Sequence, residues 1–430
     1  MNLAVGQTSS ELAIGGFSIE SLRTKFPALE HSAPFIFFDN AAGAQIPQQV
    51  FDAVNHHLLE CNVQRGGRYP KSQDVDRTIA RGRQSVGDFV NARSPNEIAF
   101  GMNATSFIRI VSLAIGQTLA ERNEIVVTDM DHEANIATWL ALECDGAKFR
   151  WWKMRDDGNL YADDLREVLS PRTRLVAGTV TSNALGSVVD VAAAAKVAHA
   201  AGAELFLDCV HFGPHGVIDV QEWDCDYLVC SGYKIFAPHM GFLWGKEDLL
   251  RKLPTFREDF IPNEPPLKIE AGTFVYENVA GMDAAISYLA SLGEVREGKS
   301  TSTSLSSRRG NVTRAMKAIR QYEETLSLEM LRVLNEAGAT VYGVSRKERI
   351  QERVPTLCFN LPGVAPADVT EAMSRANIGI RDGHLYSPRL MKRLGLSIET
   401  GAVRASLVHY NTIEEIHRFG NVLLDLSKHG

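Results

Sequence analysis

The sequence predicts an α/β fold: a seven-stranded, mainly parallel sheet covered by helices, followed by a smaller C-terminal α+β domain. Three observations carry this expectation. From residue 98 onward, short apolar strands alternate with helical stretches, the pattern of parallel strands joined by crossovers. A polar, Ser/Thr-rich run at 294–311 (EVREGKSTSTSLSSRRGN) then separates this region from a second group of helices and strands. The length of 430 residues exceeds what one small core organises.

Taken in order, residues 1–16 read as a loose tail and 18–30 as a short helix with Ser18 as its N-cap. Phe35 to Asp39 leads into a turn, and Val50, Ala53, Val54 and Leu58 fall at helical spacing, predicting an amphipathic helix over 48–60. Strands are expected at 98–101, 125–128, 148–152, 175–181, 204–208, 226–230 and 241–245. Helices over 105–121, 132–145, 161–170 and 190–201 fall between the earlier ones. The last two strands are joined by a short segment and need not follow the parallel rule. Beyond the polar run come a helix at 313–337, a strand at 354–360, a helix at 366–376 and a final helix at 412–428. The expected division is a tail and helix at 1–33, a large domain at 34–293, the polar connection at 294–311 and a small domain at 312–430.

Composition excludes several classes. The 45% hydrophobic content is that of an ordinary globular protein, and a net charge of −7 argues against a nucleic-acid partner. The six cysteines (Cys61, Cys144, Cys209, Cys225, Cys230 and Cys358) include no CxxC pair, so no metal is expected and the thiols fit a reduced, cytoplasmic protein. The start of the chain lacks a basic region followed by an apolar run, and no segment approaches the length of a membrane span, so neither export nor membrane association is expected.

The polar residues worth attention lie at strand ends, where open α/β sheets bind their ligands. Asp208 closes one strand, and Lys234 follows another in Ser231-Gly232-Tyr233-Lys234. A Lys that forms a Schiff base and an Asp that holds a pyridinium nitrogen are the minimum equipment of a pyridoxal-phosphate site. His132, after strand 125–128, can stack on such a ring; Asn183 and His211 can hydrogen-bond its phenolic oxygen. Ala104 and Thr105 open a helix whose N-terminus suits a phosphate, with the Ser231 and Tyr233 hydroxyls beside it. Singly, each residue has a plainer reading: a solvated Lys, a capping Asp, a helix-start His, a turn Asn, a helix-cap Thr. The set at separate strand ends favours the cofactor. Lys234 would then shuttle a proton between the substrate Cα and the cofactor's C4′. A substrate carboxylate asks for Arg: Arg404 interrupts an apolar run, where the alternative is a structural salt bridge, and Arg381 and Arg65 follow it in rank.

These residues resemble the class V aminotransferase superfamily of pyridoxal-phosphate enzymes, fold type I, in the branch of cysteine desulfurases and selenocysteine lyases. The resemblance runs from about Phe38 to Leu426. Its motifs are Phe38-Asp39-Asn40-Ala41-Ala42, Asp131-His132-Glu-Ala-Asn135, Ser182-Asn183-Ala-Leu-Gly186, the lysine tetrapeptide, Ala271-Gly272-Thr273 and the stretch from Val403-Arg404 to Thr412. The resemblance implies that Ala42 borders the substrate and that Arg404 meets its carboxylate. It also implies that Thr273 reaches the phosphate of a second subunit, in a homodimer with shared sites. The chain departs from the branch at Tyr233 (His there), at His211 (usually Gln) and, most consequentially, at Tyr386. In Arg381-Asp382-Gly383-His384-Leu385-Tyr386, the tyrosine stands where desulfurases carry their nucleophilic Cys. Desulfuration needs a thiolate, which a phenol cannot replace. Cys358 lies in an apolar strand pattern, and Cys61 lies near the Arg65 loop. The expectation is an enzyme acting on a small amino acid through an external aldimine, first as an aminotransferase. A Cβ lyase or epimerase comes second, and a non-catalytic pyridoxal-phosphate or sulfur-trafficking protein third. Tyr386 is expected as gate, proton donor or packing.

Overall fold

The computed structural model describes residues 13–14, 16–294 and 307–429. Most of the expected tail (1–12 and 15) and of the polar connection (295–306) therefore lies outside the described residues. The seven strands of the large sheet are β1 (Ile98–Gly101), β2 (Glu124–Thr128), β3 (Lys148–Trp152), β4 (Thr173–Thr179), β5 (Glu204–Asp208), β6 (Tyr227–Ser231) and β7 (Gly241–Gly245). They lie in the order β1-β7-β6-β5-β4-β2-β3. The pairs β2–β3, β2–β4, β4–β5 and β5–β6 are parallel. β7 is antiparallel to both β6 and β1, because the segment linking β6 to β7 is too short for a helical crossover.

The central strands are buried on both faces. Val126, Leu205 and Leu228 face one hydrophobic core, while their neighbours Val127, Phe206 and Val229 face another across the sheet. This explains why those strands read as continuous apolar runs rather than alternating ones. β3, at the edge, is the exception, with Lys148 and Arg150 exposed.

The helix Gln48–Glu60 forms as expected. The stretch 18–30 does not form one helix. It breaks into Ile19–Arg23, capped by the Ser18 hydroxyl at 3.2 Å from the Ser21 N–H, and Pro27–His31. Pro27 is the cause: it lacks an N–H and holds Phe26 extended. The Phe26 ring packs against Tyr288, Phe236, His409 and Tyr410. The tail is not loose throughout, since Ala13–Ile14 pairs with Phe17–Ser18 and Ile14 is buried. The first crossover helix ends at Gly116 and not at 121. Of two helices that the sequence reading did not identify, Pro70–Val90 and Tyr276–Leu292, the second packs against both the first and Gln48–Glu60.

The second sheet comprises β8 (Thr340–Tyr342), β9 (Thr356–Asn360), β10 (Arg381–Gly383) and β11 (Ala402–Ser406), antiparallel in the order β8-β9-β11-β10. The helices Arg308–Glu336 and Ile413–His429 flank it, the first starting earlier than the sequence indicated, at a Ser307 cap. The N-terminal part of the chain is stitched to this region: Ile36–Phe37 pairs in parallel with Ile378–Gly379, and Asp39 bridges to Ser406. The Asn183 loop also meets it. Gly186 has φ 75°, and a Cβ there would collide with the Thr356 carbonyl of β9, so the approach requires glycine. Among the described residues, no helix is long and apolar enough to cross a membrane.

Candidate active site

A cavity opens at the carboxyl ends of the parallel strands, lined among others by Thr105, His132, Asn183, Asp208, His211 and Lys234. Topology brings them together: β5 ends in Asp208, β6 runs into a single tight turn carrying Lys234, and His132 follows β2. Lys234 is only 6% exposed. Burial, and then the charge of Arg404, lower its pKa to about 8, against the pull of Asp208. Asp208 is also buried; burial raises its carboxyl above the usual range, opposed by the Val210 N–H at 2.9 Å and by Lys234.

Two imidazoles face this pair. His132 is held neutral, its pKa lowered to about 4 by burial, then by Lys234 and Arg404. Its Nδ1 accepts the Ala134 N–H at 3.1 Å, so the ring proton sits on Nε2. His211 is driven well below its ordinary pKa by burial first, with Lys234 next. Its Nε2 lies 3.0 Å from the Thr356 hydroxyl, while its buried Nδ1 has no hydrogen-bond partner among the described residues.

On the next wall, the helix Ala104–Gly116 opens with an Asn103/Ser106 capping box. The Ala104 N–H donates to the Ser231 hydroxyl at 3.2 Å, and Thr105 lines the cavity beside it. Tyr233 lies flat on His239, with ring centroids 5.3 Å apart and planes at 9°. Burial first of all pushes its phenol up to about 12.

Arg404 sits in β11, 1% exposed. It donates to the Asn183 carbonyl at 2.9 Å and pairs with Asp39 at 2.9 Å, leaving its Nε buried with no partner among the described residues. The salt-bridge alternative and a free donor are thus both present. Arg381 pairs with the other Asp39 oxygen at 2.8 Å. Asp39 therefore holds two guanidinium groups, a role that the sequence reading did not give it. Its sequence signals are its place at the end of an apolar run and in the motif Phe38-Asp39-Asn40-Ala41-Ala42. Ala42 is tied by its N–H to the Asp39 carbonyl at 2.9 Å and does not line the cavity.

Asn183 reaches the cavity, but its amide is largely committed elsewhere. Nδ2 donates to the Leu385 carbonyl at 2.8 Å, and Oδ1 accepts the Ser387 hydroxyl at 3.0 Å. One N–H of Nδ2 is left for a phenolic oxygen, while the rest of the amide clamps the loop carrying Tyr386. That loop needs clamping, because Leu385 and Tyr386 both have left-handed backbones, φ 53° and 57°. The Glu133 N–H adds a bond to the Tyr386 carbonyl at 2.9 Å. The Tyr386 ring, 49% exposed, stacks on His132 at 5.7 Å and 25°.

Three predicted residues stand apart. Thr273 is exposed and accepts from Gln64 at 2.6 Å, away from the cavity of its own chain. Cys61 is buried at the end of Gln48–Glu60. Cys358 is buried in β9, in register with Arg404, and burial pushes its thiol up to about 12. The cavity offers a buried amine, a buried carboxyl, an imidazole nitrogen without a partner among the described residues and a helix N-terminus. Arg404 and Arg381 do not line it; Arg404 adjoins it through the Asn183 carbonyl. That donor set fits pyridoxal phosphate.

Comparison with known proteins agrees. The profile of the family described as "Aminotransferase class-V" matches residues 36–309 and 312–419. An "aminotransferase-like protein" of Gibberella zeae is 34% identical over 94% of this chain and 97% of its own. A cysteine desulfurase of Synechococcus elongatus is 33% identical over 93% of this chain, which spans only 62% of that protein. The apo structure of a cysteine desulfurase from Thermococcus onnurineus superposes with a TM-score of 0.84 at 25% identity, covering 100% of both chains.

The clamp yields a direct test. Asn183→Ala removes two side-chain hydrogen bonds of about 1 kcal/mol each, so amide hydrogen exchange at Tyr386 and Ser387 is expected to accelerate roughly tenfold or more. Unchanged exchange would mean that other contacts hold this loop.

Proposed function

The chain belongs to the class-V aminotransferase family of pyridoxal-phosphate enzymes, and from that premise we propose that it transaminates a small amino acid and does not act as a cysteine desulfurase. One observation carries the reading: Tyr386 stands on the loop after Arg381-Asp-Gly-His384, and none of the six cysteines lines the cavity. Cys358, with its thiol raised to about 12, is a poor source of thiolate.

Lys234 would hold the cofactor through Nζ, and Asp208 would hold its ring nitrogen. His132 would lie against the ring, His211 at the phenolic oxygen, and Ala104, Thr105, Ser231 and Tyr233 around the phosphate. Pyridoxal phosphate, once bound, supplies a ring that takes up the electron density released at a substrate's Cα. Lys234 Nζ is the base for the Cα proton, and a pKa near 8 leaves a working fraction of it neutral at physiological pH. Arg404, through its unpartnered Nε, and Arg381 would meet the substrate carboxylate. With Asp39 between them, these two cations carry one net positive charge, which a single carboxylate balances. Asn183 and Ala42 would border the substrate. The Tyr386 ring over His132 supports a second reading, a Cβ lyase or epimerase, with the phenol as proton donor.

A panel of amino acids separates these readings. Transamination is expected to convert bound cofactor to its amine form with release of a keto acid, and an added keto acid should reverse it. Ammonia release with the aldehyde form retained would favour the lyase, and racemised substrate the epimerase. A protein-bound persulfide formed from cysteine would overturn the reading.

We also propose a homodimer in which Thr273 completes the partner's phosphate site. Phe256 and Phe260 are 92% and 81% exposed, and Phe256 shares a groove with Leu113 and Ala271, beside Thr273. Replacing both phenylalanines by Glu should yield monomers on sedimentation with loss of activity. A variant that sediments as wild type would remove this support.

A further inference from the structure

The two ring nitrogens of His211 have different surroundings. The ring is buried in the cavity wall, and one nitrogen is bonded while the other is not. A buried polar atom without a partner is costly, and its presence beside a ligand cavity points to a partner supplied by the ligand. The bonded nitrogen, Nε2, meets a single group, the Thr356 hydroxyl at 3.0 Å. The neighbouring His215 ring approaches edge-on, with centroids 5.4 Å apart, and its own Nδ1 is taken by Glu323 at 2.8 Å.

The Thr356 backbone is fixed in place. Thr356 begins β9, pairs with Ser406 of β11, and its N–H bonds the Val354 carbonyl at 2.7 Å. Its carbonyl takes the buried Arg353 guanidinium, which also bonds the Leu185 carbonyl of the Asn183 loop. Among the described residues, this hydroxyl has no other hydrogen bond, so it is free to donate.

The charged groups acting on His211 are Lys234 beyond β6 and Arg404 of β11; Asp208 of β5 lines the same cavity, and His215 on its own segment is backed by Glu323 from the helix Arg308–Glu336. The cations and burial exclude an imidazolium, so His211 carries one ring proton. If that proton were on Nε2, bonded to Thr356, then Nδ1 would offer only a lone pair, and a phenolic oxyanion needs a donor. If Thr356 donates to Nε2, the proton sits on Nδ1 and the donor exists.

We propose that Thr356 is a positioning residue for the cofactor: its hydroxyl donates to His211 Nε2 and thereby makes Nδ1–H the donor to the cofactor's phenolic oxygen. This rests on the assignment of the cavity to pyridoxal phosphate with His211 at that oxygen. A strand of the second sheet then tunes a group bound at the first.

The test uses holoenzyme carrying Thr356→Val, which keeps shape and loses the hydroxyl, and Thr356→Ser, which restores it. The readout is the pH titration of the bound cofactor's visible band. Losing the donor makes the phenolic oxygen more basic, so the midpoint should rise by roughly one pH unit in the Val variant and return in the Ser variant. A loaded Val variant with the wild-type midpoint would overturn the proposal. Nitrogen NMR of labelled histidine in the wild-type holoenzyme decides independently of how the variants fold: a proton on His211 Nδ1 supports the proposal, and one on Nε2 overturns it. A wild-type protein showing no cofactor band that depends on Lys234 would remove the cavity assignment itself, and this proposal with it.

Discussion

Everything at this site follows from placing several charges where little water reaches them. Lys234, Asp208 and Arg404 are all buried, and an unpaired ion in such a place costs several kcal/mol. The chain meets that cost in three ways. It shifts ionisation, lowering Lys234 to about 8 and His132 to about 4. It supplies backbone donors, such as the Val210 N–H to Asp208. And it shares one carboxylate, Asp39, between two guanidinium groups.

The last device explains an otherwise odd feature of the topology. The segment around Ile36–Phe37 leaves the large sheet aside and pairs beside the second one, which carries Asp39 to Arg404 and Arg381. The Asn183 loop makes the reverse journey, pressing Gly186 against β9 and locking the Leu385–Ser387 turn through its amide. The two sheets are thus joined at the cavity itself. Arg404, His211 and the Tyr386 loop are all held at that junction.

What was legible in the sequence was whatever is encoded locally. β1, β5 and β7 fall where their apolar runs place them, because both faces of these strands are buried. Once the strands were located, His132, Asp208, His211 and Lys234 followed from the rule that ligands bind at strand ends. The helix Pro70–Val90 was not legible, because it is rich in charge and places Gly82 and Gly87 where large apolar residues would mark a stripe. Partnerships between distant residues were also invisible. Asn183 meets Leu385 across 202 positions and Arg404 meets Asp39 across 365, and no periodicity encodes such a meeting. Pro27, by contrast, was a readable breaker inside the stretch taken as one helix.

The frame shared with cysteine desulfurases therefore supports cofactor chemistry in general, while the Tyr386 loop bears on which reaction follows. Both depend on Lys234 being a buried amine held near neutrality. The most direct measurement is the rate at which cofactor-free protein regains its visible band on adding pyridoxal phosphate, followed against pH. Below the midpoint the ammonium cannot add to the aldehyde, and above it the free amine can. The rate is expected to rise with a midpoint near 8, and to vanish in Lys234→Ala. A midpoint near the ordinary lysine value of 10.5, or a rate indifferent to Lys234, would contradict it.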